Sequence, residues 1–545
     1  MLKAAASFSR GGSRGSVLLL AVFFLLLLIT LAGALFILCP SELQSARLDK
    51  TQSQAYYLAE GGIIKAVARI EAGKALIPEV ADSVITSAGT PYIAPFSLGN
   101  LECRVAIQEA GTAGSHSSLG AYLITATVNL NDGIDNPQLK QIKAVILQDS
   151  FAKYAYFTDT EQTDSNNPLW WRDDYRVEGP FHINSDLYMA LTDGYYTDPA
   201  SRPVFDGPVS ITGNLICRSY SGLDVNPADE QQYNKLFKLG QGGLTTGGSR
   251  IEFPDNNLNL RNLVWPAGSG QTFPANKGVY VQPGGNLADK GILIKGQVNK
   301  MTLSVDLANN SVVEVVQGGD YYKIISRSSG GQGYTCIMKG CMRGDIGVIT
   351  SQPEYYLRLG DNLGSQVIFC TGDIKNFSGT NKGRRIIAAD IENDKKIEIA
   401  GDVLRADTTA GNKPNGDRDA LGLIAQKVVI KDPYLNSLQP PSSMSPSEPL
   451  YDVNLYAVIM AGRKGANGRN GFYAENIGDN NCNRPAGGVI KIFGGLIQAV
   501  KGPVGNLHPR QGYGRELYYD PLASRALGNF FPAVPKFHLV GWEEN

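Results

Sequence analysis

The chain has 545 residues, with Lys+Arg 50 against Asp+Glu 51 and a formal net charge of −1. That length exceeds the roughly 100–200 residues of one ordinary domain, and the balanced charge lacks the basic field that nucleic-acid binding draws on, so neither one small domain nor a nucleic-acid partner is expected. Gly 62, Pro 28 and 25 Tyr beside abundant Val and Ile favour turn-rich β structure over a helical bundle.

Residues 1–16 carry Lys3, Arg10 and Arg14 and no acid, and Val17 to Leu38 then runs without a charged side chain. As a helix this run is about 33 Å long, enough to cross a hydrocarbon core of about 30 Å. Basic residues ahead of the span hold that end in the cytoplasm and send the following chain outward. The run exceeds the ~7–15 residues of a cleaved signal's core and continues through Leu35-Phe36-Ile37-Leu38, so an ordinary cleaved signal fits poorly. Leu38 before Cys39, where a small residue is required, argues against lipidation. Beyond Pro40 a polar segment remains helix-compatible, and Tyr56, Ala59, Ile63, Ala66, Val67 and Ile70 recur at helical spacing as a stripe that needs a partner.

A basic leader, a glycine and an uninterrupted apolar helix follow one another at Arg14-Gly15-Ser16-Val17-Leu18-Leu19-Leu20, and Tyr57-Leu58-Ala59-Glu60-Gly61-Gly62-Ile63 with Ala66 comes after the span. Together these segments resemble the N-terminus of type IV pilin-like proteins. The resemblance implies that a prepilin peptidase cuts after Gly15 and that Ser16 opens the mature helix. Gly12 before Ser13 is the weaker alternative, because Arg14 would then fall inside that helix. Major pilins of the family carry Glu at the fifth mature position, where it pairs with a neighbouring subunit's terminal amine; here that position is Leu20. The chain is therefore more similar to PilX-type minor pilins and tip pseudopilins. By that resemblance Val17, Leu20, Phe24, Leu28, Leu31, Leu35 and Leu38 face the inner membrane and, after assembly, other pilin-like subunits.

The natural partner for the helix stripe comes next. Arg104 to Gln108 and Tyr122 to Leu130 read as strands, the second alternating Tyr122, Ile124, Ala126, Val128 and Leu130 on one face. Asn131-Asp132-Gly133 supplies turn chemistry before Lys140 to Gln148 returns, giving a helix-on-sheet unit like a pilin-like head.

From Phe151 onward short β-branched or aromatic runs alternate with Gly, Asn, Asp and Pro. Gly344-Asp345-Ile346, Gly372-Asp373-Ile374 and Gly401-Asp402-Val403 recur at a spacing that one coil of a β-solenoid would produce, with a regularly turned sandwich as the rival. Tyr154-Ala155-Tyr156-Phe157-Thr158-Asp159, Glu178 to Leu187, Pro203 to Val209, Asp419 to Ala425, Ala457 to Ala461, Gly494 to Gln498, Gly502-Pro503-Val504-Gly505 and Tyr518-Tyr519-Asp520-Pro521 occur in the order seen in an uncharacterised bacterial β-rich domain of unknown function. That resemblance implies location rather than activity. The expected fold is α+β: a leader at 1–15, a transmembrane and amphipathic helix at 16–75, a small antiparallel sheet at 76–150, and a large mainly-β, solenoid-like region at 151–440 whose C-terminal part is 441–545.

Candidate chemistry is sparse. His182, Asn184 and Asp186 alternate onto one strand face, where Asn and Asp could orient an imidazole base, although a hydrogen-bonded structural ladder is the more ordinary use of that spacing. Cys336 and Cys341 would close a small disulfide loop outside the cytoplasm, or remain two thiols. Trp170 and Trp171 suit either a sugar platform or one buried and one solvated ring, and adjacent Asp173 and Asp174 would point to opposite faces of a strand. Only His 4 are present, too few for an imidazole-rich metal cluster. The expected function is a noncatalytic pilin-like envelope protein without cofactor, spanning the membrane once with its C-terminal region exported, as a minor or tip component of a pilus or secretion filament. The alternative is a membrane-anchored β-solenoid that binds or cleaves surface polysaccharide.

Overall fold

In the computed structural model α1, Ser13–Glu71, is one 59-residue helix that changes character along its length. The structure describes residues 13–71, 92–98, 101–109, 121–130, 138–162, 167–173, 175–192, 202–266, 271–282, 291–329, 332–343, 348–349, 355–359, 367–414, 419–431, 452–465, 470–475, 486–506, 511–527 and 531–544. Two units are distinguished: Met1–Glu109, Tyr122–Ile146 and Leu539–Asn545 form the first, and Ala110–Ala121 with Leu147–His538 the second.

In the first unit the second half of α1 lies on a small antiparallel sheet of β1 (Tyr92–Leu98), β2 (Leu101–Glu109), β3 (Ala121–Leu130), β4 (Gln138–Ser150) and β5 (Ala533–Glu544), in that order. Period-2 alternation buries Cys103, Val105 and Ile107 from β2, Tyr122, Ile124, Ala126 and Val128 from β3, and Ile142, Ala144 and Ile146 from β4. Antiparallel pairing of β2 with β3 sets Val105 opposite Ala126 and Ile107 opposite Ile124. The helix answers with Ala55, Leu58, Ala59, Ile63, Ala66 and Ile70, all buried, while Tyr56 and Val67 of the expected stripe are half-buried. Gly62 sets the approach distance: a Cβ there would stand 2.8 Å from Val105 Cγ2 and 3.1 Å from Cys103 Sγ. Asn131-Asp132-Gly133 lies outside the described residues.

The second unit is a large β region with a parallel core. One residue from each of many strands stands in register: Ile292, Ile368, Ile387, Leu423, Ile459, Leu496, Tyr156, Phe181, Val209 and Leu244 form a single row. Its order is not the chain's order, because Tyr156, the earliest of these in sequence, stands between Leu496, the latest, and Phe181. A second row, Leu303, Gly379, Val403, Leu455, Ile492, Leu517, Val177 and Phe205, runs through another set of parallel pairings, and both rows feed one apolar core. Gly379 is required there, since its φ is +113° and a Cβ would fall 2.1 Å from the Leu303 carbonyl oxygen.

The opposite face of the strands that carry the first row is buried too. Leu293, Phe369, Ala388, Ile424, Met460 and Ile497 share a second core with Leu260 and Leu263 of the helix Leu258–Val264 and with Ala523 and Leu527 of the helix Pro521–Leu527. Strands buried on both faces lose the alternation that marks half-buried ones, and Ala420–Ala425 is buried at every position.

Two sequence expectations change here. The Gly-Asp spacing is not the structural period: Gly372-Asp373 precedes the strand Ile374–Asn381, whereas Gly401-Asp402 lies inside the strand Lys396–Arg405, and Gly344-Asp345-Ile346 lies outside the described residues. Cys336 and Cys341 do not bracket a loop. Both belong to one strand, Gln332–Arg343, opposite Ile325 and Asp320. Five residues of extended chain span about 17 Å, well beyond the ~4.4–6.8 Å between Cα atoms that a disulfide bridges, so this strand excludes the bond.

Replacing Gly62 by Val is expected to destabilise the protein by about 1–3 kcal/mol through overpacking against Val105. Gly61→Ala, with nothing within 4 Å of its Cβ, should stabilise the same helix by up to about 1 kcal/mol. Denaturant unfolding of the two variants in detergent, followed by circular dichroism, separates these outcomes.

Candidate functional site

The first half of α1 is long and apolar enough to cross a membrane, with a mean hydropathy of 3.0 in its most apolar window and none of that window buried. Val17, Leu20, Phe24, Leu28, Leu31, Leu35 and Leu38 are 56–66% exposed. The polar group in this stretch is internally satisfied, since the Thr30 hydroxyl lies 3.0 Å from the Leu26 carbonyl and 2.9 Å from that of Leu27. Hydrocarbon demands such self-sufficiency, because no solvent is present to pair with a stray donor. Gly15 and Ser16 fall in the opening turns of α1, and residues 1–12 of the expected leader lie outside the described residues.

His182 and Asn184 come together in the second unit, and Asp186 does not join them. Asn184 donates through Nδ2 to Asp159 Oδ1 at 2.7 Å and to the Ile251 carbonyl at 2.6 Å, and its Oδ1 accepts the Ile251 N–H at 2.9 Å. These contacts fix the amide's orientation. The acceptor Oδ1 then faces His182 Nε2 at 2.9 Å, which makes Nε2 the protonated nitrogen and leaves Nδ1 to accept from the Ser210 hydroxyl at 3.1 Å. Phe157 stacks on the imidazole at 5.3 Å, and Arg250 closes the far end by pairing with Asp159 at 2.7 Å. The strand ends at Ile183, and Asp186 turns away to accept the Asn214 N–H at 2.7 Å and the Tyr188 hydroxyl at 3.0 Å.

A second polar cluster was not foreseen from the sequence. Glu161 is fully buried and accepts from the Tyr156 hydroxyl at 2.8 Å, from the Trp171 indole N–H at 2.8 Å and from Lys501 Nζ at 3.5 Å. Gln498 donates to the Tyr156 oxygen at 3.0 Å, and Lys501 sits 4.2 Å above the Trp171 ring. Arg515, also fully buried, stands over the rings of Tyr175 and Phe472. Burial pulls the Lys501 ammonium down to about 7, with Glu161 opposing that shift and Arg515 reinforcing it. Burial, with Glu161 beside it, pushes the Tyr156 phenol well above its ordinary value. The members come from distant parts of the chain, and no local spacing links Glu161 to Lys501 or Arg515.

Trp171 is thus a core residue rather than half of a surface platform, while Trp170 is half-buried and meets Tyr188 edge-on at 5.5 Å. Asp174 lies outside the described residues. Among the described residues no group of three or more His, Cys, Asp or Glu side chains is placed to hold a metal. Burial holds the thiols of Cys103 and Cys217 in their neutral form, pushing Cys103 up to about 11 and Cys217 to about 12.

No family model and no curated protein matches this chain. A solved structure similar to it is that of the competence-associated pilin ComZ from Thermus thermophilus, at 10% identity and a TM-score of 0.24, over 90% of this chain and 97% of that one. An identity and a score that low assign neither a fold nor a function.

Asn184→Ala should cost about 2–4 kcal/mol, because it removes the partner of His182 Nε2 and of both Ile251 backbone groups, and equilibrium unfolding in urea measures the loss. Lys501 predicts a pH effect of definite sign. Between about 7, its value in the fold, and the ~10.4 of an unfolded lysine, the unfolded chain holds a proton that the native state lacks, so stability rises with pH across that window. Lys501→Met should remove that rise; unfolding free energies at pH 6.5 and pH 9.5 for both proteins test it.

Proposed function

We propose that the protein is a noncatalytic, type IV pilin-like envelope protein that spans the inner membrane once and enters a pilus or related secretion filament as a minor or tip component. The observation that carries this reading is α1, one continuous helix whose apolar first half is exposed and whose second half packs on a small antiparallel sheet. Such a helix has a use in two environments. In the bilayer it contacts lipid; in a filament the same side chains contact equivalent helices, an exchange between surfaces of like polarity that close packing decides.

Leu20, standing where a subunit-pairing acid would be, supports a minor rather than a repeating role, as does the bulk of the second unit. We read that unit as a β-solenoid, a view supported by its in-register parallel rows, although their spacing is uneven. In this reading His182 and Asn184 form a structural ladder, since both imidazole nitrogens are engaged and the ring is buried. A role in binding surface polysaccharide loses its aromatic platform with the burial of Trp171.

The processing step gives the test. Mass spectrometry of the protein from its native host should find a mature N-terminus at Ser16 when the prepilin peptidase is active and at Met1 when it is not. A start at Met1 in both strains, or a start beyond Leu38, would remove the protein from the pilin pathway.

A further inference from the structure

Arg515 is completely buried, and its Nε, Nη1 and Nη2 have no hydrogen-bond partner among the described residues. Its neighbours compound the problem. Arg515, Lys501 and Arg172 all approach the Tyr175 ring, at 5.6, 5.9 and 5.7 Å from its centre. Glu161 is the carboxylate of this cluster, and its oxygens are already engaged by Tyr156, Trp171 and Lys501, the last at a long 3.5 Å. Arg172 directs Nη2 to the Tyr513 carbonyl.

Ring faces stabilise a guanidinium through its π surface but leave the in-plane N–H groups unpaired. Burying an ion in that state costs several kcal/mol unless an acceptor of opposite charge accompanies it. With Lys501 and Arg515 both charged against Glu161, at least one positive charge in the cluster exceeds the carboxylate among the described residues that contacts it. We propose that this cluster is an internal anion-binding site that takes a small inorganic monoanion, chloride in ordinary media, between the Arg515 guanidinium and the Lys501 ammonium. A monovalent ion offsets one of the positive charges in this cluster, and complete burial of Arg515 and Glu161 with near-complete burial of Lys501 favours a ligand of atomic size. The role is structural: the ion ties the strand Gln511–Tyr519, which carries Arg515, to the strand Ala486–Lys501 beside it.

The test uses the full chain in detergent at pH 6, unfolded in sodium chloride and in sodium gluconate at equal ionic strength. Chloride should raise the unfolding midpoint, and at concentrations above the dissociation constant each tenfold increase should lower the unfolding constant about tenfold. Arg515→Met and Lys501→Met should abolish the difference between the two salts. Crystals of the wild-type protein grown in sodium bromide supply a readout that needs no variant, and an anomalous peak within hydrogen-bonding distance of the Arg515 nitrogens is expected. Equal midpoints in the two salts, or a bromide map with no anomalous peak at Arg515, would overturn the proposal.

Discussion

In-register stacking of apolar side chains across parallel strands is the interaction on which the large unit depends. Several of its strands contribute only three or four residues, and such strands could not hold themselves together by their own hydrogen bonds. Placing Ile387 on Ile368, Leu423 on Ile387 and Ile459 on Leu423 turns many weak strands into one continuous core, with each fully buried aliphatic side chain contributing about 1.5–3 kcal/mol. Burial on both faces then obliges every backbone N–H and C=O to find a partner in the neighbouring strand, and the parallel register provides it.

The same register explains the polar networks. The row on the helix-covered face runs Leu293, Phe369, Ala388, Ile424, Met460, Ile497 and Phe157, and continues without a break into His182, Ser210 and Thr245. His182 therefore occupies a position that is apolar on strand after strand. Its buried imidazole is tolerated because Asn184 and Ser210 satisfy both nitrogens. Across the sheet, Gln498 and Glu161 perform a similar service for Tyr156 and Trp171.

Much of the smaller unit was legible in the sequence because its signals are local. Helical spacing of Ala59, Ile63, Ala66 and Ile70 and alternation from Tyr122 to Val128 each describe one element facing one core, and both faces are buried as that spacing implies. The large unit offered only its β character. Strands such as Ala420–Ala425 carry no alternation, and the recurring Gly-Asp steps, unavoidable in a chain with Gly 62, fell at unlike places. Cys336 and Cys341 illustrate the limit: their spacing suits a loop or a strand equally, and it is pairing with Asp320–Ser329 that decides. The Glu161 cluster was invisible because sequence distance conceals it.

The position of Tyr156 between Phe181 and Leu496 also governs when the molecule can be finished. Strands emerge during synthesis in sequence order, so Tyr156–Thr160 is made early and waits with one ladder edge open until Ala486–Lys501 follows. That closing contact has a very long sequence separation, which makes its loop-closure entropy large and its formation slow relative to hairpins such as β2 with β3. A chain halted short of Leu496 would present the exposed edge of Tyr156–Thr160 to its neighbours, and unpaired edges are where β proteins aggregate. The core of this unit cannot be completed until nearly the whole chain has been made.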